Sequence, residues 1–489
     1  MKYILSLKKN KTSILFQNTL ALITSSILIK ILSMLNRILM TRVLGNYGIS
    51  LYIYSIPTIM LFTSLAGFSL NISIARITSS KKINPKEIIK KGLKIALISS
   101  FVSVLILILF SKIIAEKALK QPVLNSILLS STLFIIINAI NNVYKGLLTG
   151  YNKLKKISLT QLIEQIVRIL LIGLLCVINK SNNIIFLVIL CIISMTIGEL
   201  MSLIYNIFSL NRIIKKINIK EMHSMSKNDY NNILTFSFTT TISHFISNIQ
   251  LFLEPIIFSF SFSLINISSD TTLYKYSEIN AYALPTLTLI SFISYQVSSA
   301  LFPVFSKKYN IDNDYIENKT NKYLYYLLVV GIFSAHVFYY YGENILIFLY
   351  DTNIGYISIK IMCYFFIFMY ITPILNMLLQ ISGKEKYLMK LQILISLIKL
   401  SLIFIFIITK YFSNYSLVLS IIITSLIYLL LILKKSSKII KIKIPVLKLI
   451  FIFLFTFIFF YIISCLNINF IISIIISLLI TLLLVLFLK

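Results

Sequence analysis

The sequence has 489 residues, 58% of them apolar and only 12% charged, and its mean hydropathy is +0.93. Ordinary soluble domains carry about 45–50% apolar and about 25% charged residues, so a soluble globule, a disordered chain and a secreted disulfide scaffold are excluded. Lys and Arg outnumber Asp and Glu by 46 to 15, a formal charge of +31; the bases fall mostly in short stretches between apolar blocks, which points to a membrane and away from nucleic acid.

The apolar residues recur in blocks of about 20, the length that crosses roughly 30 Å of hydrocarbon. Fourteen spans are predicted in chain order: 14–39, 48–75, 93–114, 122–144, 157–178, 184–208, 231–257, 279–302, 322–342, 357–379, 388–409, 414–433, 446–465 and 469–488. No small-residue cleavage site follows the first block, so it is expected to be a retained helix rather than a signal peptide. Spans one, two, seven and eight are rich in Ser, Thr, Asn and ionisable groups and must face protein or water. The last two carry almost no polar groups. Pro57, Pro255, Pro285 and Pro373 are expected to bend spans two, seven, eight and ten. No loop is long enough for an appended soluble domain. The Gly383–Lys384 pair lacks the upstream glycine and the following Ser/Thr of a nucleotide-binding loop, so direct use of ATP is not expected. Cys176, Cys191, Cys363 and Cys465 sit in or beside apolar blocks without CxxC spacing and read as packing residues. His244 and His336 are isolated, and no metal site is expected.

With the N-terminus in the cytoplasm, the tail 1–12, the loops near 76–92, 145–156, 209–230, 303–322, 380–390 and 434–448, and Lys489 hold 33 bases. The opposite loops hold 7, and 6 lie inside spans. Cytoplasmic loops collect Lys and Arg. The alternation supports an even span count with both termini cytoplasmic, and one missed helix would invert every later loop.

An internal repeat is expected at an offset of 231 residues. Leu147, Leu148, Lys153, Gln161 and Arg168 align with Leu378, Leu379, Lys384, Gln392 and Lys399, the last by charge. Six spans per copy give parallel lobes about an axis along the membrane normal. The expected division is an N-lobe over 1–210, a C-lobe over 211–433 and two added helices over 434–489.

A base near mid-bilayer costs about 2.5–3.5 kcal/mol on insertion scales and persists when it is paired, hydrated or useful. Lys30 and Arg37 are two turns apart and point to one side of the first helix, with Asn36 adjacent and Arg42 at its outer end. Glu164 and Arg168 are spaced to pair across one turn: this is a neutralised structural pair or part of a basic cavity with Arg168 as its base. Glu199 and Glu254 are acids in apolar surroundings, read as ion-coupling candidates or satisfied structural acids. A basic pocket in a low-dielectric bundle selects an anion. Outward movement of one negative charge across an inside-negative membrane gains about 2.3 kcal/mol per 100 mV, enough to drive a phosphorylated lipid head without ATP.

Three stretches carry a family resemblance. "LIKILSMLNRILMTRVLGNYGISLYIYSIPTIMLFTSLAGFSLNISIARITS" (Leu28 to Ser79) resembles the opening of the stage V sporulation protein B family. "GLLTGYNKLKKISLTQLIEQIVRILL" (Gly146 to Leu171) resembles the fourth-to-fifth helix region of that family and of oligosaccharide flippases, with Glu164, Gln165, Val167 and Arg168 on the EQ-V-R motif. "ALPTLTLISFISYQVSSALFPVFSK" (Ala283 to Lys307) fits the eighth helix. The resemblance implies the multidrug/oligosaccharidyl-lipid/polysaccharide (MOP) exporter superfamily, with MurJ-type and Wzx-type flippases. It implies an all-α polytopic fold of two six-helix lobes around a cationic cavity, alternating access, and C-terminal helices forming a groove for a lipid tail. Lys30 and Arg42 fall on basic family positions. Asn36–Arg37 stands where MurJ-type proteins carry a basic-acidic pair, and the seventh helix shows His244 and Gln250 with no base.

These readings converge on a flippase, not an enzyme. It would move a polyprenyl-(pyro)phosphate-linked saccharide from the inner to the outer leaflet of a bacterial cytoplasmic membrane, for cell-wall or other surface polysaccharide, sporulation peptidoglycan included. The expected substrate-binding residues are Lys30, Asn36, Arg37, Arg42, Glu164 and Arg168. Glu199 and Glu254 are the ion-coupling candidates, with Na+ or H+ as the ion and no bound cofactor. Membrane lipids and envelope-synthesis enzymes are the expected partners. The rivals are a cation-coupled multidrug exporter of the same superfamily, a membrane enzyme such as a polymerase or acyltransferase, and a non-transporting scaffold of an envelope-building complex. The enzyme would need a large outer loop or a paired acid/His constellation, and neither is visible.

Overall fold

The computed structural model describes residues 2–80, 83–178, 183–216, 222–410, 412–466 and 468–487, with side chains from Thr24 onward except at 80, 176–178, 243, 247 and 487. The side chains of Cys176, of the N-terminal bases Lys2, Lys8, Lys9 and Lys11, and of Lys489 lie outside that set.

The described chain is helical, with one isolated bridge between Ile83 and His223. In order the helices are α1 (Lys2–Gly67), α2 (Leu70–Ser80), α3 (Pro85–Ile113), α4 (Leu124–Ser130), α5 (Thr132–Gly150), α6 (Leu154–Ile178), α7 (Ile184–Ile214), α8 (Lys227–Leu264) and α9 (Ser269–Ser277). There follow α10 (Leu284–Leu287), α11 (Phe292–Lys308), α12 (Asn313–Tyr350), α13 (Tyr356–Phe366), α14 (Thr372–Ile381), α15 (Glu385–Ile408), α16 (Ser416–Ser436), α17 (Val446–Cys465) and α18 (Phe470–Phe487). Among the described residues, eleven helical stretches are long and apolar enough to cross a membrane, and twelve if the pair Ser269–Leu287 and Phe292–Lys308, bent by 56°, forms one span. The first of these stretches breaks at Gly45, whose φ of 61° is open to glycine because no Cβ has to be placed. Dividing it there and adding the short apolar α18 gives the fourteen spans expected.

Two compact units divide the chain: residues 1–263 with 267–274, and residues 264–266 with 275–489. The helix expected to open the C-lobe, α8, therefore belongs to the first unit. The reason is a set of polar ties. Asn84 caps α3 by accepting from Lys86 N and, through its own N–H, binds the His223 carbonyl at 3.0 Å. Glu87 accepts from Met225 N at 2.6 Å, and Lys91 donates to the Met225 carbonyl at 3.0 Å. Further along α8, the Ser73 and Ser237 hydroxyls meet at 2.5 Å, Arg76 stacks 4.4 Å from the Phe236 ring centre, and Tyr54 donates to the Pro255 carbonyl at 3.1 Å.

The prolines divide in their effect. Pro57 and Pro255 lie within continuous helices. Pro285 opens the short α10 within the bent pair, and Pro373 stands in the first turn of α14 after a tight 3-10 turn. Of these four, the latter two stand in the first turn of a helix, as Pro85 does in α3.

The expected repeat has a backbone counterpart. After α5, Tyr151 N bonds Leu147 O, Asn152 N bonds Thr149 O and Lys153 N bonds Leu148 O, each at 2.9 Å, and Asn152 takes φ 54°. After α14, Ser382 N bonds Leu378 O at 3.1 Å, Gly383 N bonds Gln380 O at 3.0 Å and Lys384 N bonds Leu379 O at 2.9 Å, with Gly383 at φ 72°. The two turns are the same left-handed helix cap, 231 residues apart.

In the second unit, Leu324, Ile332, Ile374, Leu375 and Ile432 anchor one apolar core. Helix α17 docks on α12 through a nest of rings. His336 is fully buried; Phe453 is centred 4.8 Å from it, Phe457 and Phe460 lie 5.7 Å away, and Thr456 Oγ1 is 3.2 Å from Nδ1. His336 is thus a packing residue of this docking surface.

Candidate functional site

In the first unit, α5 packs against α2, α3 and α7, and α6 against α1 and α7. The small residues of α5 allow this. A Cβ on Gly146 would stand 3.0 Å from the Asn71 carbonyl oxygen, and one on Gly150 would stand 2.5 Å from Thr78 Cβ. Glycine there lets α2 approach closely; α5 is helical to residue 150, and Lys145, counted among the loop bases from the sequence, lies inside the helix. Asn138, Asn141, Asn142 and Lys145 then follow i, i+3, i+4, i+7 spacing and form a polar stripe along one face.

That stripe meets Glu199, which is 1% exposed on α7. A single carboxylate oxygen, Oε1, accepts from Asn138 Nδ2 at 3.1 Å, Asn141 Nδ2 at 2.8 Å and Lys145 Nζ at 2.9 Å. Asn141 Nδ2 also donates to Ser202 Oγ at 2.8 Å, Asn206 donates to Asn141 Oδ1 at 2.8 Å, and Thr160 Oγ1 donates to Asn206 Oδ1 at 2.7 Å. Hydrogen bonding of this kind makes a buried carboxylate tolerable. Glu199 is a satisfied acid whose cation is Lys145.

Beside this network, Arg168 Nη2 and Glu164 Oε1 pair at 2.8 Å across one turn of α6, with side chains 12% and 14% exposed. Gly198 makes room for the pair: a Cβ there would lie 3.0 Å from Arg168 Cγ and 3.1 Å from the Glu164 carbonyl oxygen. Arg168 Nε is buried with no partner.

Arg168 lines a cavity of about 510 Å³ in this unit. Its polar walls include Asn71, Asn138, Asn142, His244 and Asn248, with Met195, Phe134 and Ile59 among the apolar ones. Arg168 is the one charged residue among the lining side chains described. An arginine offers five N–H donors, and one nitrogen engaged by Glu164 leaves others for an anionic oxygen. Asparagine amides supply both donors and acceptors, which suits phosphate oxygens and sugar hydroxyls alike.

The expected binding residues are not all brought together. Arg168 lines the cavity, and Glu164 holds Arg168. Arg37 is half-buried on α1, and both Arg37 and Arg168 act electrostatically on Tyr52, whose hydroxyl points to Met195 Sδ at 3.1 Å. Asn36 is buried, and its Oδ1 has no partner. Lys30 and Arg42 are exposed and do not line this cavity. Glu254 is buried on α8 and is not a lining residue either. The sequence reading missed Asn138, Asn141, Lys145 and Gly198. The stripe of amides and a base at helical spacing in an apolar span was the available signal for the first three.

A family model described as polysaccharide biosynthesis protein matches residues 15–309. The chain belongs to that family. This polysaccharide biosynthesis protein is 27% identical over 403 residues to stage V sporulation protein B of Bacillus subtilis (strain 168), a match spanning 80% of this chain and 77% of the relative. Its fold is similar to that of the lipid II flippase MurJ in an inward closed conformation, with a TM-score of 0.70, 18% identity, and coverage of 94% of this chain and 97% of that one. It is also similar to an inward-facing multidrug resistance MATE family transporter of the MOP superfamily, with a TM-score of 0.59, 12% identity, and coverage of 84% and 95%. The family member is therefore an all-α, multi-pass membrane protein with a MOP-type fold. The proteins it resembles are a flippase and transporters rather than enzymes.

Proposed function

We propose that this protein flips a polyprenyl-(pyro)phosphate-linked saccharide from the cytoplasmic to the outer leaflet of a bacterial cytoplasmic membrane by alternating access, with both termini cytoplasmic. The observation that carries the reading is Arg168: a largely buried guanidinium facing a chamber walled by amides, inside the membrane-spanning unit of a polysaccharide biosynthesis family member. The phosphate is held by Arg168, sugar hydroxyls are met by the asparagines, and the prenyl tail stays in hydrocarbon. Lys30, Arg37 and Arg42 assist the headgroup on its way. The membrane potential or an ion gradient drives the cycle, with Na+ or H+ as the coupling ion; the potential alone supplies about 2.3 kcal/mol per negative charge per 100 mV. Residues 1–210, 211–433 and 434–489 remain the proposed evolutionary modules. The saccharide serves the cell wall or another surface polysaccharide, and the enzymes that make and polymerise it are the proposed partners.

The multidrug-exporter reading requires a carboxylate free to exchange cations. Glu199 is taken by Lys145 at 2.9 Å, which disfavours that reading at this position. Purified protein in liposomes containing a fluorescent prenyl-pyrophosphate disaccharide is the test. Flipping above the protein-free rate, reduced by Lys30→Ala and Arg37→Ala, is expected. Drug export without lipid flipping would replace this reading with the exporter.

A further inference from the structure

Beside the Arg168 chamber, the first unit holds a second cavity, apolar and about 440 Å³ in volume. It runs between two helical stripes, Ile95 to Ile106 on α3 and Tyr230 to Phe245 on α8. Lining positions recur along each stripe at three- and four-residue steps, so they share one face of their helix. At 1.5 Å per residue the stripes are about 16 and about 22 Å long, which makes the cavity a slot. Ile98, Val102, Phe238 and Ile242 are exposed along it, so surrounding hydrocarbon reaches its rim. Two of its hydroxyls are turned to backbone: Ser99 Oγ donates to the Ala66 carbonyl at 2.6 Å and Thr241 Oγ1 to the Ser237 carbonyl at 2.7 Å.

The slot and the chamber share a wall. Near the end of α1, Leu65 and Phe68 line the slot, whereas Ser64, Gly67 and Ser69 line the chamber. On α8, Thr241 and Phe245 line the slot, and His244 and Asn248 the chamber. Phe68 and Ser69 both take φ 45°, a left-handed conformation that residues with a Cβ seldom adopt; this turn puts neighbouring side chains into different cavities. Across the wall, Thr241 Oγ1 and Ser69 Oγ meet at 3.2 Å. One helical turn away the Ser73 and Ser237 hydroxyls form a second such pair. Neutral hydroxyl pairs contribute little net stability, because another polar oxygen can replace either partner.

We infer that the slot binds the head-proximal stretch of the prenyl chain while the phosphorylated head occupies the chamber, with the junction of the two at the Ser69–Thr241 pair. This deepens the flippase reading above and rests on it. Adjacency selects the occupant. A prenyl-linked saccharide joins an anionic, hydroxyl-rich head directly to one linear apolar chain, and the two cavities lie on either side of a single turn. A phospholipid brings two chains to the junction and no saccharide for the chamber amides. A compact drug has no chain to run the length of the slot. The tail then lies against α3 and α8, rather than on the C-terminal helices that the family resemblance implies.

The experiment is photo-crosslinking of the full-length protein in liposomes with a prenyl-pyrophosphate disaccharide carrying a diazirine on the isoprene unit next to the phosphate, mapped by mass spectrometry. Crosslinks are expected on the slot faces of α3 and α8, reduced by the unlabelled disaccharide lipid and unchanged by added phosphatidylglycerol. Val102→Trp fills the slot and is expected to lower crosslinking and flipping about tenfold, the equivalent of displacing about two chain methylenes. Leu97→Trp, exposed on α3 outside the slot, is expected to keep both. Melting curves verify that the variants fold, and the wild-type crosslink map decides the matter should Val102→Trp not fold. Crosslinks confined to α17 and α18, equal displacement by phosphatidylglycerol, or wild-type flipping by folded Val102→Trp overturns the inference and leaves the flippase reading standing. A wild-type protein that neither flips nor crosslinks the disaccharide lipid overturns both.

Discussion

Lys145 Nζ lies 2.9 Å from Glu199 Oε1, joining α5 to α7 inside the first unit, with the lysine 19% and the glutamate 2% exposed at the side chain. Removing one partner of such a pair leaves an uncompensated buried charge, which typically costs about 3–5 kcal/mol, whereas replacing both with apolar groups is often near neutral. Lys145→Met is therefore expected to lower the melting temperature in detergent sharply, and Lys145→Met combined with Glu199→Leu to recover most of the loss. A Lys145→Met protein as stable as wild type would show that the pair does not hold these helices.

Gly198 sets the position of Arg168. Alanine there would put a Cβ 3.0 Å from Arg168 Cγ and 3.1 Å from the Glu164 carbonyl oxygen, so the arginine side chain must give by a few tenths of an ångström. Gly198→Ala is expected to keep partial flipping. Gly198→Leu is expected to lose it, with overpacking that costs about 1–3 kcal/mol. Flipping rates and melting curves of the two variants check this, and full activity in Gly198→Leu would contradict it.

Much of the fold was readable because its signals are local. Long apolar blocks, separated by bases, located the spans, and the match of Leu147, Leu148 and Lys153 to Leu378, Leu379 and Lys384 marked the repeated turn. What escaped the sequence was set by packing. Lys145 sits in a Lys-Gly-Leu-Leu-Thr-Gly stretch that looks like a loop, and only the close approach of α2 to Gly146 and Gly150 shows that the helix continues. The same holds for the loop-to-helix hydrogen bonds at Asn84, Glu87 and Lys91 that tie the start of α8 to α3, which no pattern of apolar blocks reports. Lys30 and Arg37 read alike by depth in their span, and in the fold Arg37 is half-buried while Lys30 is exposed, a difference that depth alone does not report.

The repeated turn makes a paired test. Nothing lies within 4 Å of a Cβ at Gly383, so Gly383→Ala incurs only the backbone penalty of a left-handed conformation, about 1–2 kcal/mol. Asn152→Gly relieves the same strain in the first copy and is expected to be neutral or slightly stabilising. Equilibrium unfolding in detergent measures both, and equal effects of opposite expectation would sink the equivalence of the turns.

Asp312 caps α12 just before the apolar stretch Asn313–Tyr350. Its Oδ1 accepts from Tyr315 N and its Oδ2 from Lys308 Nζ, each at 3.1 Å. The Lys308 hydrogen bond, followed by that from the Tyr315 amide, holds its carboxyl below the usual carboxylate range. A depressed carboxyl stabilises the folded state fully above its unfolded value and loses that contribution as pH falls through the folded one. Acid titration of wild type should show added loss of stability below the ordinary carboxylate range. Asp312→Ala should lack that increment while being less stable near neutrality. Parallel acid profiles for the two proteins would contradict the cap.

The most direct test is flipping of a fluorescent prenyl-pyrophosphate disaccharide by Arg168→Ala and Arg168→Lys in liposomes, with insertion and folding verified by melting. If Arg168 grips the phosphate, the alanine variant falls to the protein-free rate and the lysine variant, a point charge without the planar fork, keeps a fraction of wild-type activity. Wild-type flipping by a folded Arg168→Ala protein would contradict the assignment of the chamber as the headgroup site.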